Sequence, residues 1–172
     1  MKHLFVILSS IFLLNELIAQ ENETSKWAIE TSLTFPIVQI YQFHFAYRFN
    51  EKSEFLVGPC FQNFDKETFS VNAYTLLLGY RYYIWRNLHL ENELYPAYNK
   101  IYSTLDQKYY DGFEAWNEIR LGYHVFLINN KLYIEFAPGI GFGIFRQNKP
   151  PNFDKEMDAI TFVPQINLGF KF

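Results

Sequence analysis

The chain has 172 residues, enough for one domain, and its formal net charge of −3 gives no basic excess to indicate nucleic-acid binding. Aromatic residues make up 20% of the sequence, with 19 Phe and 13 Tyr, a proportion that suits an aromatic-rich sheet surface. The mean hydropathy is only −0.12, so polar residues must be interleaved with the apolar ones, and a helical membrane protein is disfavoured.

The amino-terminal residues look like a secretory signal peptide. Lys2 and His3 precede an apolar run from Leu4 to Leu14, and Ala19 follows at a plausible cleavage position. The run is too short to cross a bilayer as a helix, which takes about 20 apolar residues. No Cys follows the run, so a lipoprotein anchor is not expected. We therefore predict a cleaved signal peptide at residues 1–19 and a single β-barrel domain at residues 20–172.

From Lys26 onward, apolar and polar residues alternate with the period of two that is expected of β-strands. The clearest case runs from Tyr41 to Asn50, where every second residue is aromatic. Eight segments share the pattern and are predicted strands: 27–35, 41–50, 54–62, 74–84, 88–95, 113–127, 132–144 and 159–172.

The predicted connections also alternate. Those after the second, fourth and sixth strands are tight turns, whereas those after the third, fifth and seventh are longer loops at residues 63–70, 99–112 and 147–158. This asymmetry is typical of an up-and-down membrane barrel with tight periplasmic turns and longer external loops. The predicted fold is therefore all-β, an eight-stranded antiparallel transmembrane barrel, whose closure leaves no unpaired strand edge in lipid.

The last predicted strand carries apolar residues at every second position and ends on Phe172. In this ending and in its strand pattern the chain resembles the small outer-membrane β-barrel proteins of Gram-negative bacteria, and is similar to the transmembrane domain of outer membrane protein A. The resemblance covers nearly all of residues 20–172 and is architectural. It implies that Phe170 and Phe172 belong to a signal for the barrel insertion machinery.

The same resemblance implies a place in the cell outer membrane, contact with outer-membrane lipid and a monomeric state. It also implies a structural or surface-interaction role, with the three longer loops presented outside the cell to an unknown surface ligand. The sequence does not say what those loops bind.

Alternation alone does not say which face of the sheet points inward. A soluble lipocalin-like barrel that binds a hydrophobic ligand puts its apolar face inside and is the main alternative. The sequence favours a barrel with its apolar face outside, because aromatic residues cluster near strand ends and no Gly-x-Trp motif lies near the start of the domain. The polar face is also rich in glycine, as a crowded interior requires: Gly79, Gly122, Gly139, Gly141, Gly143 and Gly169.

If the polar face is interior, its charged side chains point into a narrow space and must pair. Folding the hairpins about their short turns predicts three pairs: Arg48 with Glu54, Arg81 with Glu91, and His124 with Glu135. Such a cluster could form a gated ion path or a plug that holds the barrel rigid. We favour the plug, because eight strands leave an interior that side chains just fill.

Some small membrane barrels modify lipid A, so an enzyme is a further alternative. Such chemistry needs a base that activates a hydroxyl group. The domain contains His44, His89 and His124, all on the polar face, and none has a Ser two residues away. No metal-ligand spacing is evident either. We therefore predict no catalytic residues, no cofactor and no metal site.

Each of four prolines within predicted strands removes a hydrogen-bond donor, so bulges or earlier strand ends are expected at Pro59, Pro96, Pro138 and Pro164.

The pentapeptide Asn-Phe-Asp-Lys-Glu occurs at residues 63–67 and again at 152–156, both in predicted external loops. It indicates either a remnant of duplication, paired acidic tips that bind a cation or a surface partner, or simply similar solvated loop tips.

Overall fold

The computed structural model describes residues 25–157 and 159–172. The predicted signal peptide at residues 1–19 lies outside the described residues. Within the described part of the chain, no helix has the length and apolar character needed to cross a membrane.

In the described residues, eight antiparallel strands form a single sheet that closes on itself. Each strand pairs with its neighbours in sequence, and the first pairs with the last, with Ile29 opposite Phe170. At this seam the backbone N–H of Phe172 donates to the carbonyl oxygen of Trp27 over 2.9 Å. The prediction of eight antiparallel strands in an all-β fold is confirmed. The strands are β1 (Trp27–Ser32), β2 (Ile40–Asn50), β3 (Ser53–Asp65), β4 (Phe69–Trp85), β5 (Leu88–Ser103), β6 (Lys108–Ile128), β7 (Leu132–Arg146) and β8 (Ile160–Lys171).

One end of the barrel, here called the turn end, holds the three tight connections, the start of β1 and the end of β8. The Asn50 side chain accepts a hydrogen bond from the backbone N–H of Lys52 over 2.8 Å, which fixes the β2–β3 turn. Asn129 and Asn130 take left-handed conformations with φ of 45° and 54° in the β6–β7 turn. Asparagine tolerates this region better than most residues, so the sequence suits the tight connection.

The opposite end, the loop end, differs from the sequence prediction. The predicted loops at 63–70 and 99–112 are wrong, because β3 continues to Asp65 and β4 begins at Phe69, while β5 and β6 extend to Ser103 and from Lys108. Only residues 66–68 and 104–107 connect these strands. The extended pairs keep their backbone hydrogen bonds although their outward residues are polar, and that polarity hid them from a search for apolar alternation.

The other two connections at the loop end are irregular. Residues 147–157 form a connection with a single α-helical turn at Phe153–Glu156, in agreement with the loop predicted there. The first strand is shorter than predicted, ending at Ser32, and a 3-10 turn follows at Phe35–Val38. Pro36 lies in the first turn of that segment, where its missing N–H costs nothing.

The strand prolines do not produce the expected bulges. The strands run through Pro59, Pro96, Pro138 and Pro164, and the register is the same on both sides of each. The register shifts lie elsewhere, at the three tight turns and at Ala115/Trp116. A proline removes one donor on one side of its strand, and the surrounding ladders hold the strand in place without it.

The polar face of the sheet points inward and the apolar face points outward. Phe43, Leu78 and Ile119 illustrate the outer face, with 46%, 41% and 43% of their surfaces exposed. This orientation is the opposite of that in a lipocalin-like barrel. The buried charged and histidine side chains are Glu30, His44, Glu54, Arg81, His89, Glu91, Glu93, Glu118, Arg120, His124, Glu135 and Lys171.

Glycines on the inner face make room for large side chains on the neighbouring strand. Gly169 lies opposite Tyr133, and a β-carbon added there would come within 2.2 Å of the tyrosine ring. Gly122 has the same relation to His89 at 2.0 Å. At these two positions the inner face is therefore packed so closely that a single methyl group has no space.

We expect Gly169→Ala to lower the free energy of unfolding by about 1–3 kcal/mol, because the new methyl group forces the buried Tyr133 ring to move. Urea unfolding followed by far-UV circular dichroism measures this change. Gly143→Ala is the matched control, since its β-carbon would meet nothing closer than Trp116 at 3.7 Å. Equal stability of the two variants would contradict the packing described here.

Candidate functional site

The interior of the barrel is the candidate site, and two layers can be distinguished among its described side chains. A charged layer, formed by the buried charged and histidine side chains named above together with Arg48, occupies the part of the barrel toward the turn end. An apolar cap, formed by Phe69, Val71, Ala73, Ile101 and Phe153, lies toward the loop end. Buried neutral polar side chains outside both layers include Gln42, Thr75, Asn99 and Gln165.

Arg81 is the centre of the charged layer. Its Nη1 lies 2.9 Å from Oε1 of Glu30 and 3.0 Å from Oε2 of Glu54. Its Nη2 lies 2.6 Å from Oε2 of Glu91 and 3.0 Å from Oε1 of Glu135. One guanidinium on β4 therefore joins carboxylates from β1, β3, β5 and β7. Its planar fork of donors suits this arrangement better than a lysine ammonium would.

Arg120 forms a second centre on β6. Its guanidinium contacts Glu93 and Glu118 closely, and Nη1 donates to Oε1 of Glu91 over 3.1 Å. Because Glu91 also contacts Arg81, one carboxylate joins the two arginines into a continuous network. Tyr95 donates its hydroxyl proton to Glu93 and accepts a hydrogen bond from Arg120 over 3.1 Å.

The structure brings each of the three predicted charge pairs together. Arg48 lies opposite Glu54 in the ladder, and its Nε donates to Oε1 over 2.7 Å. The Nε of Arg81 donates to Oε2 of its ladder partner Glu91 over 2.8 Å. His124 lies opposite Glu135, with Nε2 to Oε1 at 3.6 Å. The first two are direct hydrogen bonds, while the third is longer.

The sequence interpretation missed the contacts that cross the barrel. Glu30 of β1 reaches Arg81 of β4, and Tyr133 of β7 donates to Oε1 of Glu30 over 2.5 Å. It also missed Arg120 as a second centre of the network. The available signal was the alternation that puts Glu30, Tyr133 and Arg120 on the inner face, but alternation does not give distances between non-neighbouring strands.

A third group in the charged layer contains histidine. His89, His124 and Glu135 come from β5, β6 and β7, and their ligand-type atoms all lie within 4.8 Å of one another. His89 Nε2 lies 2.7 Å from Oε1 of Glu135. The Glu135 carboxylate is also held by Asn167, whose Nδ2 donates to Oε2 over 2.6 Å. All three group members are buried.

The apolar cap closes the interior toward the loop end. Phe153, from the helical turn between β7 and β8, stacks on the Phe69 ring with centroids 5.3 Å apart. Glu156 accepts hydrogen bonds from the backbone and the hydroxyl of Thr68. The second copy of the repeated pentapeptide thus contacts Thr68, the residue that directly follows the first copy.

The β5–β6 turn at the loop end is held by side-chain contacts. Tyr110 donates its hydroxyl proton to the carboxylate of Asp106. The hydrogen bond from Tyr110 lowers the pKa of Asp106 below its ordinary value. The turn therefore keeps its negative charge across the physiological pH range.

The outer face carries an aromatic row, defined as Tyr41, Phe61, Tyr74, Tyr98 and Phe113. These residues are ladder partners from β2 to β6. Their exposed fractions lie between 36% for Tyr98 and 59% for Tyr74. Adjacent rings pack edge to face, with centroids 6.0 Å apart for Phe61 and Tyr74 and 5.3 Å apart for Tyr98 and Phe113. Such edge-to-face geometry is favourable for aromatic pairs.

A polar row follows two residues nearer the loop end on the same strands. It consists of Asn63, Asn72, Lys100 and Asp111, which are ladder partners on β3, β4, β5 and β6. Their side chains lie on the same outer face as the aromatic row, because they are two residues away. The outer surface therefore changes from apolar to polar at one register position on four neighbouring strands.

Two polar residues interrupt the apolar outer face, and they satisfy each other. Asn92 Nδ2 donates to Oδ1 of Asn117 over 3.0 Å, and Asn117 Nδ2 donates to the backbone oxygen of Glu93 over 2.9 Å. Two amides on an apolar surface thus use their hydrogen-bonding groups locally, which reduces the cost of placing them away from water.

Phe170 and Phe172, predicted to belong to an insertion signal, both lie on the outer face, with 44% and 58% of their surfaces exposed. Phe170 is paired on both sides, opposite Ile29 of β1 and Leu132 of β7. The two phenylalanines therefore both lie on the β8 side of the seam at which the sheet closes.

We expect Arg81→Met to lower the free energy of unfolding by about 3–5 kcal/mol, because it leaves buried carboxylates without their shared cation. Urea titration of the purified variant measures the loss. Lys149→Met is the control, since its Nζ is 2.7 Å from Asp154 but the two side chains are 45% and 74% exposed. We expect it to change stability by less than about 0.5 kcal/mol. A similar, small loss in both variants would contradict the central role of Arg81.

Comparison with protein-family models, curated proteins and solved structures gives no match to this chain. The function is therefore inferred from the molecule's own geometry. Three features carry that inference: a closed sheet, an interior filled by a charged layer and an apolar cap, and an apolar outer face bounded by an aromatic row.

Proposed function

We propose that this chain is a small integral outer-membrane β-barrel protein with a structural or surface-interaction role and a side-chain-filled interior. The observation that carries the proposal is the outer face. A closed barrel that turns its apolar side chains outward needs an apolar surrounding, and lipid supplies one. The aromatic row followed by the polar row has the character of the girdle that marks a membrane interface.

The height of the apolar face agrees with this proposal. On β4 the outward residues from Tyr74 to Ile84 are aromatic or aliphatic, and ten residue steps at about 3.4 Å each span about 34 Å along the strand. With the strand tilt of about 40° that is usual in such barrels, the band is roughly 25 Å tall. That is the height of the apolar band of outer-membrane barrels.

The closed interior supports a structural role over transport. Arg81 and Arg120 cross the charged layer with carboxylates on several strands, and Phe153 stacks on Phe69 in the cap. An ion path would have to disrupt both layers. Eight-stranded barrels ordinarily fill their interior in this way.

The two alternatives find less support. A lipocalin-like barrel needs an apolar interior for its ligand, whereas the interior here is charged toward the turn end. A lipid-modifying enzyme needs its base within reach of lipid at the outer face, whereas His44, His89 and His124 are buried inside the barrel.

The proposed orientation puts the turn end in the periplasm and the loop end outside the cell. The three connections at the turn end have two or three residues each, whereas the loop end holds the longer connections at residues 33–39 and 147–159. Short periplasmic turns and longer external connections are the pattern of outer-membrane barrels. In this orientation the β3–β4 and β5–β6 hairpins and the β7–β8 connection form the external surface and are available to a surface ligand. Phe170 and Phe172 at the seam would meet the insertion machinery, and the chain would act as a monomer.

We expect Leu78→Arg to destabilise the barrel in lipid vesicles by about 2–4 kcal/mol, because it puts a charge near the middle of the apolar band. Urea-dependent folding into vesicles, followed by the mobility of unheated samples on a gel, measures the change. Asn72→Arg on the same strand is the matched control, with an expected cost of about 0–1 kcal/mol near the interface.

The comparison separates a membrane barrel from a water-soluble one. On a surface that faces water, replacing an exposed Leu with Arg changes stability by about 0.5 kcal/mol or less. Equal effects at positions 78 and 72, together with recovery of the chain in the soluble periplasmic fraction, would overturn the proposal.

The proposed orientation has its own test. We expect a membrane-impermeant maleimide added to intact cells to label Leu105→Cys but not Lys131→Cys. Leu105 is 53% exposed in the β5–β6 turn, and Lys131 is exposed in the β6–β7 turn at the opposite end. The native Cys60 is buried with 0% exposure, so it contributes little background. Labelling of Lys131→Cys alone would reverse the orientation.

A further inference from the structure

We propose that His89, His124 and Glu135 form a binding site for a transition-metal dication, with zinc as the favoured ion. The three residues lie on the adjacent strands β5, β6 and β7, on the inner face and near the turn end. Two imidazoles and one carboxylate are a ligand set that suits first-row metals such as Zn²⁺, Co²⁺ or Fe²⁺ better than Mg²⁺ or Ca²⁺.

The hydrogen bonds of His89 leave Nε2 directed at the proposed ion. Its Nδ1 lies 3.1 Å from the carbonyl oxygen of Asn87, which only accepts, so Nδ1 carries a proton. This carbonyl contact is a common way to orient a metal-binding imidazole. Nε2 then faces Oε1 of Glu135 at 2.7 Å. Two acceptors at that distance repel unless a proton or a cation lies between them.

His124 presents a nitrogen that the barrel leaves unused. Its Nδ1 lies 3.3 Å from the hydroxyl of Tyr83. Its Nε2 is buried without a hydrogen-bond partner among the described residues, and the nearest carboxylate oxygen, Oε1 of Glu135, is 3.6 Å away. A buried polar atom without a partner is costly, and an ion between Nε2 and Glu135 would satisfy it.

Glu135 is held in place from its other side. Asn167 donates to Oε2 over 2.6 Å, and Nη2 of Arg81 lies 3.0 Å from Oε1. A carboxylate has about four acceptor positions, so these contacts leave positions for a metal. Arg81 also contacts Glu30, Glu54 and Glu91, and therefore does not depend on Glu135 alone.

The charge of the interior calls for further positive charge. Among the described residues the charged layer contains six glutamates, against Arg48, Arg81, Arg120 and Lys171, which leaves two negative charges when the histidines are neutral. Protons on two histidines would supply this charge, and so would one dication. The glutamates are Glu30, Glu54, Glu91, Glu93, Glu118 and Glu135.

The spacing of the ligand atoms fits a metal site with small side-chain adjustments. Atoms bound to tetrahedral zinc at about 2.1 Å lie about 3.4 Å apart. The two distances from Oε1 of Glu135 are 2.7 Å to His89 and 3.6 Å to His124, on either side of that value. Because the ligands come from three strands, the ion would couple to folding and be acquired as the barrel forms.

The test is to refold the full chain in detergent with Zn²⁺ or with Co²⁺, after removal of metal by a chelator in denaturant. We expect one tightly bound ion per chain by atomic emission, and a cobalt visible spectrum of low coordination number. X-ray absorption of the zinc form should show two imidazole rings. This experiment does not depend on the membrane location of the barrel, so its failure would leave the proposed function untouched.

His124→Asn and Glu135→Gln should each lower metal affinity at least tenfold. His44→Asn is the matched control, because His44 is another buried histidine of the charged layer, 3.5 Å from Glu30, and lies outside the proposed site. We expect it to retain one ion per chain. Should a site variant fail to fold, the wild-type measurements decide.

Two results would overturn the proposal. One is a wild-type chain, refolded with either ion, that retains less than a tenth of an equivalent after desalting or shows a zinc shell of oxygen atoms only. The other is equal retention of metal in His124→Asn, Glu135→Gln and His44→Asn. In either case protons on the histidines supply the missing charge instead.

Discussion

The structure depends on one constraint: charged side chains enclosed by a sheet must find oppositely charged or hydrogen-bonding partners inside it. Turning the apolar face outward leaves six glutamates within the barrel, and an isolated buried carboxylate costs several kcal/mol. Arg81 meets this cost for four of them at once. The glycines, the tyrosines and the exact fit between neighbouring strands follow from the need to bring these groups within hydrogen-bonding distance.

The two faces of the sheet carry different kinds of side chain, and β4 illustrates both faces. On β4, Arg81 points inward to carboxylates, while Tyr80 and Tyr82 beside it point outward with 40% and 42% of their surfaces exposed. Further along the same strand Phe69 is buried in the cap, and Asn72 belongs to the polar row. The strand thus passes from an apolar outer face over a charged interior to a polar outer face over an apolar interior.

The sequence predicted what depends on neighbours along and across a hairpin. Arg48 and Glu54 flank a tight turn, which sets the register, so their pairing followed from counting residues. It did not predict that Glu30 reaches Arg81, because that contact depends on the diameter and stagger of the closed barrel. It also missed β5 beyond Tyr95 and β6 before Phe113, because the outward Lys100 and Asp111 are polar and the alternation of hydrophobicity is lost there.

The contact between Glu30 and Arg81 links electrostatics to topology. Arg48 and Glu54 meet within one hairpin, but Glu30 is the only acid on β1, the strand that closes the sheet against β8. Until that seam forms, Arg81 lacks one of its carboxylates and Tyr133 lacks its acceptor. Closing the sheet and completing the contacts of Arg81 and Tyr133 therefore require the same strand, and a sheet that stops one strand short lacks both.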